Sequence, residues 1–394
     1  MIKKTLLKYL GSALGALMVS SAVAAPPTEI RLGLVTTLTT SAAAGGEATK
    51  EGIELAIEQL GSKIGGIPVT LFVEDDALNP ALGKQKTEKL ILQDQVDFLV
   101  GYNYSNVLLA AYKAAADNQT FLLSTNAGPG VLAGKHCNPW FFAVRDQTEQ
   151  APRVMGDELN RKGVKRLYTM APNYVAGKEM VGGLLSHFNG EVIGQDYTKW
   201  PDQLDFSSEI AKIKSAAPDA AYVFYPPAHA LQFVSQFQQA GLKGKIPLYS
   251  NYTFDGLTLP QLGALADGSL LTMFWSVDLD NEANRRFVDA FKKKHGREPS
   301  NFAASAYDTI MLIDSAVRGV NGEMSDKGKL REALEAANFQ SVRGKFRFGT
   351  NHFPIQDFYL IQVVPADDGT FTTKTLSVAA TDNLDTYVND CQMK

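Results

Sequence analysis

Short apolar runs alternate with helical-period segments along almost the whole chain, and that alternation restricts the fold more than any other feature. Ile30-Arg31-Leu32-Gly33-Leu34-Val35 has strand composition, and a Thr/Ser/Ala/Gly loop from Thr36 to Gly46 follows it. Ile53, Ala56, Ile57 and Leu60 then recur at i, i+3, i+4 and i+7, which places four apolar side chains on one helix face. Further strands are read at Ile67–Val73, Val96–Val100, Phe121–Ser124, Phe141–Val144, Arg166–Met170, Glu191–Tyr197, Ala220–Tyr225, Ile246–Ser250 and Ser269–Phe274. Helices fall between them. Asn79-Pro80 reads as an N-cap followed by proline at the first helical position, and the helix runs to about Gln93. Val107–Ala116, Thr148–Arg161 and Tyr174–Phe188 follow, then a helix capped by Asp205 or Ser207. A helix from Ala228 ends at Gly241, a C′ glycine. Asn281–His295, Phe302–Gly319 and Lys327–Ala337 precede a strand-rich tail from about Lys345 to Val378.

Strands alternating with helices predict an α/β protein with parallel sheets covered on both faces. A chain of 394 residues is too long for one such sheet, so two doubly wound lobes are expected. Composition agrees: the chain is 45% hydrophobic and 20% charged, which excludes a disordered or coiled-coil chain. The net charge is −4 and no basic stripe stands out, so nucleic acid is not an expected partner.

The first segment predicts export. Lys3, Lys4 and Lys8 form a positive region, Leu10–Val19 an apolar stretch too short to span a bilayer, and Ala22-Val23-Ala24 an A-x-A site. Cleavage is expected after about Ala24, with no cysteine there to carry a lipid. That leader holds three lysines and no acid, so the remaining chain is more acidic still and suits the periplasm. Two cysteines are too few for a disulfide scaffold or a zinc site. In an oxidising space Cys137 and Cys391 are expected to form one bridge across a long loop.

In open α/β sheets ligands bind beyond the carboxyl ends of the strands. That rule selects the loops Thr36–Gly46, Gly101–Asn106, Ser124–Pro129, Ala171–Gly177, Tyr225–His229 and Ser250–Gly256. They are rich in hydroxyls, amides, glycines and tyrosines. His136, His187, His229, His295 and His352 lie far apart and form no metal-ligand pair, so no metal or cofactor is expected. No GxSxG elbow, SxxK pair, GxGxxG or P-loop occurs. Hydroxyls, backbone N–H groups and aromatic walls suit binding without chemistry. Ser105-Asn106 opens one helix and Asn126-Ala127-Gly128 follows the next strand. Two adjacent turns with free N–H groups favour a carboxylate.

Across nearly all of this length the sequence resembles the periplasmic solute-binding proteins of ABC importers, of the branched-chain-amino-acid (Leu/Ile/Val) type. The resemblance is carried by IRLGLVTTLTT, EGIELAIEQLG, GGIPVTLFVEDDALNPALGKQKTEKLI, VDFLVGYNYSN, FLLSTNAGP, GVKRLYTMAPNYVAGKEM, LDFSSEIAKIKSAAPDAAYVFY and NFAASAYDTIMLIDSAV, in that order and spacing. It implies a type I periplasmic binding protein, with two lobes joined by three hinge crossings. Residues 25–145 and 252–352 would form lobe 1; residues 146–251 and 353–394 would form lobe 2. It also implies a monomer that delivers a small ligand to the membrane permease subunits of an importer.

The resemblance further implies a ligand carboxylate held by Ser105, in the motif Gly101-Tyr102-Asn103-Tyr104-Ser105, and by the turn Ser124-Thr125-Asn126-Ala127. The family's usual hydroxyl position falls on Ala127, leaving its backbone N–H and the side chains of Thr125 or Asn126. Tyr174 matches an aromatic that closes on the ligand from lobe 2, and Tyr225 and Asn251-Tyr252 match two other contact regions. The family's acidic partner for an ammonium is expected near Asn251-Tyr252; neither is acidic, and Asp255 is the nearest candidate. Asn103, Tyr104, Tyr174, Tyr225 and Tyr252 would instead make a broad aromatic, amide-bearing cleft. A small organic carboxylate is expected as the ligand, either an aromatic acid without an ammonium, since the chain also resembles the aromatic-acid branch of the family, or a branched-chain or hydrophobic amino acid. Two other classes fit the layout: an exported α/β hydrolase, which needs a histidine beside Ser105 or Ser124, and a module presenting its ligand to a sensory receptor.

Overall fold

The computed structural model describes residues 27–393, so the expected leader, residues 1–24, lies outside the described residues. Two sheets organise the chain. The first lobe begins with β1 (Ile30–Thr36), α1 (Ala43–Gln59), β2 (Lys63–Ile64), β3 (Ile67–Asp75), α2 (Pro80–Leu92), β4 (Phe98–Gly101), α3 (Ser105–Asp117), β5 (Phe121–Ser124), α4 (Gly130–Ala133) and β6 (Phe141–Ala143). The second begins with α5 (Gln150–Arg161), β7 (Arg166–Pro172), α6 (Val175–His187), β8 (Glu191–Thr198), α7 (Ser207–Ala216), β9 (Ala220–Val223) and α8 (Pro227–Gln239). It continues with β10 (Leu248–Ser250), α9 (Leu259–Leu262) and β11 (Leu270–Met273). The chain then returns to the first lobe for α10 (Glu282–His295), α11 (Asn301–Gly319) and α12 (Lys327–Ala336). It ends in the second sheet with β12 (Phe346–Phe348), β13 (Pro354–Pro365) and β14 (Phe371–Asn383).

The local chemistry of these elements is plain. Asn79 caps α2 by accepting from the N–H groups of Ala81 and Leu82, with Pro80 at the first helical position. Gly241 follows α8 at φ +70°, a conformation that glycine adopts without a Cβ clash. α11 is buried along nearly its whole length because α1 covers one face and α12 another. The strands β4, β5 and β6 place Phe98, Phe121 and Phe142 inside the first core, each burial contributing about 1.5–3 kcal/mol.

The first sheet runs β2-β3-β1-β4-β5-β6 and the second β12-β13-β11-β10-β9-β7-β8, with β14 beside β13. In each lobe the parallel strands follow the same order: the second strand, then the first, then the third and onward. The order therefore reverses beside β1 and β4 in the first lobe, and beside β7 and β9 in the second. A crevice opens at such a reversal, outside the strands' carboxyl ends. Not every strand is parallel. β13 is antiparallel to β11, β12 and β14, so the chain's last strands widen the second sheet.

Two features differ from the division expected from the sequence. Residues 252–352 were expected in lobe 1, yet β11 lies within that span and pairs with β10 and β13 of the second sheet. The second crossing therefore falls after β11, at residues 274–281. The tail was expected in lobe 2, but beyond Asn383 it returns to the first lobe, where Cys391 is bonded to Cys137 across a separation of 254 residues. The other crossings are residues 144–149 and 337–345.

Arg343 joins the crossings. Its Nη1 donates to the carbonyl oxygens of Val144 at 2.8 Å and Arg145 at 3.0 Å, and its guanidinium lies 4.3 Å from the centre of the Phe274 ring.

Candidate functional site

The carboxyl ends of β4 and β7 face each other across the cleft, and a helix starts at each. Gly101 ends β4 at φ +112°, and a Cβ there would stand 2.2 Å from the Val35 carbonyl oxygen. Only glycine makes that close turn, which leads into Tyr102-Asn103-Tyr104 and puts Ser105 at the first position of α3. On the other side Tyr174 precedes α6, and Gly177 in the first turn packs on the Pro172 carbonyl, 1.9 Å from where a Cβ would be. Two helix N-termini thus meet, each with unpaired N–H groups and the positive end of its dipole.

Between them lies a small cavity lined by Asn103, Ser105, Asn126, Ala127, Arg145, Asp146, Thr148, Tyr174, Ala176, Met180 and Phe224. Its volume is about 20 Å3, against roughly 300–1,000 Å3 for a pocket that encloses a ligand. The lobes are shut upon it, so a ligand enters only when they part.

Five of the residues singled out from the sequence line this cavity: Asn103, Ser105, Asn126, Ala127 and Tyr174. The Ser105 side chain is buried and donates to no described residue. Asn103 lines the wall, but its amide is taken up inside the first lobe: Oδ1 accepts from Thr36 at 2.5 Å and Nδ2 donates to Thr49 at 3.0 Å. Asn126 donates to the Asn103 carbonyl at 2.6 Å and accepts from Arg145 Nη1 at 2.5 Å.

The remaining residues do other things. The Ala127 N–H, expected to face a ligand, donates to the Tyr102 carbonyl at 3.1 Å. The hydroxyl of Thr125 donates to the Gly101 carbonyl at 3.2 Å. Tyr104 donates to the Ala42 carbonyl at 3.1 Å, and its ring packs 5.6 Å from Trp200. Tyr225 points into the second core, stacked on Phe233 and bonded to Thr198 at 3.1 Å. Just past the end of β9 it is Phe224 that lines the cavity, while the next residue, Tyr225, is buried in the second core. The Asn251 amide is held by Tyr222 at 2.7 Å and by the Thr272 carbonyl at 2.7 Å. Asp255 accepts from the backbone and side chain of Asn301 at the start of α11 and is not in the cavity wall.

Sequence reasoning missed Arg145 and Asp146. They follow Val144, just past the carboxyl end of β6. Arg145 is 6% exposed and lies 3.6 Å over the Tyr252 ring. Its Nε stands 3.3 Å from Asp146 Oδ1 without hydrogen-bond alignment, and Nε and Nη2 have no acceptor among the described residues. Tyr252 donates from its hydroxyl to Asp146 Oδ2 at 2.5 Å, so its place is beneath the ion pair. Burial pushes the Asp146 carboxyl upward, and Arg145 opposes that shift.

Trp200 was missed too. It comes from the loop after β8, stacks on Tyr174 at 5.2 Å and 19°, and reaches Tyr104 of the first lobe. Among the described residues no histidine lines the cavity. His229 sits behind Trp200 with Nε2 at 2.8 Å from the Pro201 carbonyl oxygen, and Ser124 donates to the Ala127 carbonyl at 2.6 Å. A serine–histidine pair is therefore not assembled among the described residues around the cavity.

Comparison with known proteins places this architecture. The family of periplasmic binding proteins matches residues 29–370. A solute-binding protein of an ABC transporter from R. palustris, solved in complex with benzoate, is 30% identical, with a TM-score of 0.87 over 92% of this chain and 99% of that one. An ABC transporter substrate-binding protein from Sphaerobacter thermophilus is also 30% identical, with a TM-score of 0.83 over 90% of this chain and 99% of that one. A Leu/Ile/Val-binding protein homologue from Brucella melitensis is 27% identical over 376 residues, 92% of this chain and 95% of its own.

The chain belongs to the periplasmic binding protein family. Within it, the two-lobed α/β fold and the relatives define a solute-binding protein of the type I, Leu/Ile/Val-binding class. Among the described residues no helix is long and apolar enough to cross a membrane.

Proposed function

We propose that this protein captures a small organic carboxylate in the periplasm and presents it to the membrane subunits of an ABC importer, leaving it chemically unchanged. The observation that carries this reading is the cavity where the strand order reverses in both lobes at once. Ser105 opens α3 on one side and Tyr174 precedes α6 on the other. Two helix N-termini and an unengaged hydroxyl favour an anion, and Tyr174, Phe224 and Met180 give it an apolar body to rest on.

The ligand class is an aromatic or similarly apolar monocarboxylate. The benzoate complex of the R. palustris relative supports it, as do the aromatic walls here. Binding works by population shift: the ligand contacts both lobes only when they are closed, so it stabilises the closed form. The permease then reads closure as a shape. The protein acts as a monomer, with residues 1–24 directing export and removed after about Ala24.

A thermal-shift screen over monocarboxylates, amides and amino acids tests the reading. A ligand that binds only the folded form raises its stability by RT ln(1 + [L]/Kd). Monocarboxylates should raise the melting temperature and their amides should not. Turnover of any acid or ester in the screen would refute binding without chemistry.

A further inference from the structure

We propose that Arg145 anchors the ligand's carboxylate, and that the Arg145–Asp146 pair makes the cavity select monoanions over zwitterionic amino acids. This rests on the carboxylate-binding reading above and deepens it.

Arg145 is a buried cation that the protein satisfies only in part. Nη1 donates to Asn126, and the face of the guanidinium lies on Tyr252. The edge formed by Nε and Nη2 is buried and has no hydrogen-bond acceptor among the described residues. Leaving charged donors unpaired in a low-dielectric site is costly, and a carboxylate matches that edge with both oxygens. Ser105 and Ala176, at the two helix N-termini, line the same small cavity.

Its position suits an anchor. Arg145 lies on a crossing between lobes and not on either moving face. Its carbonyl oxygen accepts from Arg343 at 3.0 Å and from the Gln356 amide at 2.6 Å, which fixes the backbone under the side chain. A ligand seated on Arg145 is held at the hinge while the lobes close over it.

Asp146 supplies the selectivity. Among the described residues it is the one carboxylate in the cavity wall; its Oδ2 accepts from Tyr252, and its charge is already balanced by the Arg145 guanidinium, whose Nε stands 3.3 Å from Oδ1 without an aligned hydrogen bond. An ammonium entering with an amino acid finds no free acidic partner and loses its hydration without compensation. The expected ammonium partner, Asp255, is held away by Asn301.

The test is calorimetric titration of the full-length mature protein with benzoate, benzamide and L-leucine. Benzamide keeps the shape of benzoate and removes the charge. Wild type should bind benzoate about 100-fold more tightly than benzamide, and L-leucine at least about tenfold more weakly than benzoate. The double variant R145M/D146N removes both charges together, so no carboxylate is left buried alone. In it, benzoate and benzamide should bind within about threefold of each other. Should that variant fail to fold, Arg145→Lys keeps the charge but not the planar edge, and should weaken benzoate about tenfold. An unchanged benzoate-to-benzamide ratio in a folded variant overturns the anchor and leaves the carboxylate reading standing. L-leucine binding as tightly as benzoate overturns the selectivity. Failure of wild type to bind any monocarboxylate overturns the carboxylate reading itself, and the anchor with it.

Discussion

Arg343 and Asp308 form a fully buried ion pair, Nε to Oδ2 at 3.0 Å, at the place where the chain passes between the lobes. Asp308 sits on α11 of the first lobe and also accepts from the Ser341 hydroxyl at 2.5 Å and the Val342 N–H at 3.0 Å. Arg343 reaches the carbonyls of Val144 and Arg145 and the side chain of Gln356. Burial raises the Asp308 carboxyl, and the adjacent guanidinium opposes that rise. The pair is thus a rivet through the hinge, and every segment the lobes pivot on is tied to it.

Breaking one side of that pair leaves a buried charge without its counterion. Asp308→Asn or Arg343→Met should therefore cost about 3–5 kcal/mol of folding stability. Urea denaturation measures it. A loss below about 1 kcal/mol would mean that the pair contributes little beyond its neighbours' packing.

Ser105 lines the cavity with a hydroxyl that has no hydrogen-bond partner among the described residues. Ser105→Ala should weaken benzoate binding by about 1–3 kcal/mol, the worth of a hydrogen bond to a charged group. Folding stability should barely change, since no internal bond is lost. Equal affinities for variant and wild type would remove Ser105 from the site.

The Cys137–Cys391 bond ties the tail to the first lobe after β14 has left the second sheet. The tail touches the second lobe on its way, with Arg153 of α5 donating to Thr386 at 2.5 Å. Cross-linking so long a loop restricts the unfolded chain, which contributes on the order of 2–5 kcal/mol in the chain-entropy account. Protein alkylated without reductant should show no labelled cysteine by intact mass. Cys391→Ser should melt several degrees lower than wild type; an unchanged melting temperature would show that the staple is idle.

Much of this molecule was readable in advance, and the reasons for the gaps are physical. Helices and strands came from local periodicity, and Asn79-Pro80 and Gly241 marked helix ends because capping is a short-range effect. Sheet membership is not short-range. β11 belongs to the second sheet because Leu271 lies opposite Ile361, ninety residues away, and nothing near Leu271 announces that pairing. Tyr225 was expected at the site from the resemblance alone, and no local pattern shows that Phe224, just past β9, is the residue that lines the cavity while Tyr225 is buried against Phe233. Ala127 lines the cavity as expected, but its N–H is taken by the Tyr102 carbonyl of the neighbouring strand's loop, a non-local contact. Arg145 had a signal, a charged pair directly after a strand, that the strand-end rule would have found had it been applied to the crossing segment.

Closure should respond to pH through Glu179. It lies on α6 of the second lobe, and its Oε1 accepts from the Gly130 N–H of the first lobe at 3.0 Å, while Oε2 is buried without a partner among the described residues. The groups around it are few. Glu149 repels it, Arg153 pairs with Glu149, and Tyr387 of the tail donates to Glu149 at 2.9 Å. Tyr174 stands at the start of its own helix, and the charged side chains of neighbouring α3, Lys113 and Asp117, pair with each other at the surface. Burial and then Glu149 push its carboxyl up to about 7, against the opposing Gly130 hydrogen bond. With the lobes apart the carboxyl meets water and returns toward the ordinary carboxylate range. The closed form therefore holds the proton more tightly. Its advantage is fully present at low pH and is lost as the pH rises through about 7. A ligand carboxylate stays ionised throughout, so benzoate affinity should fall by about tenfold between pH 6 and pH 8. Glu179→Gln should make the profile flat, because the amide keeps the shape and carries no proton to release. A wild-type affinity that is constant over that range, or a Gln variant with the wild-type slope, would assign the latch no part in closure.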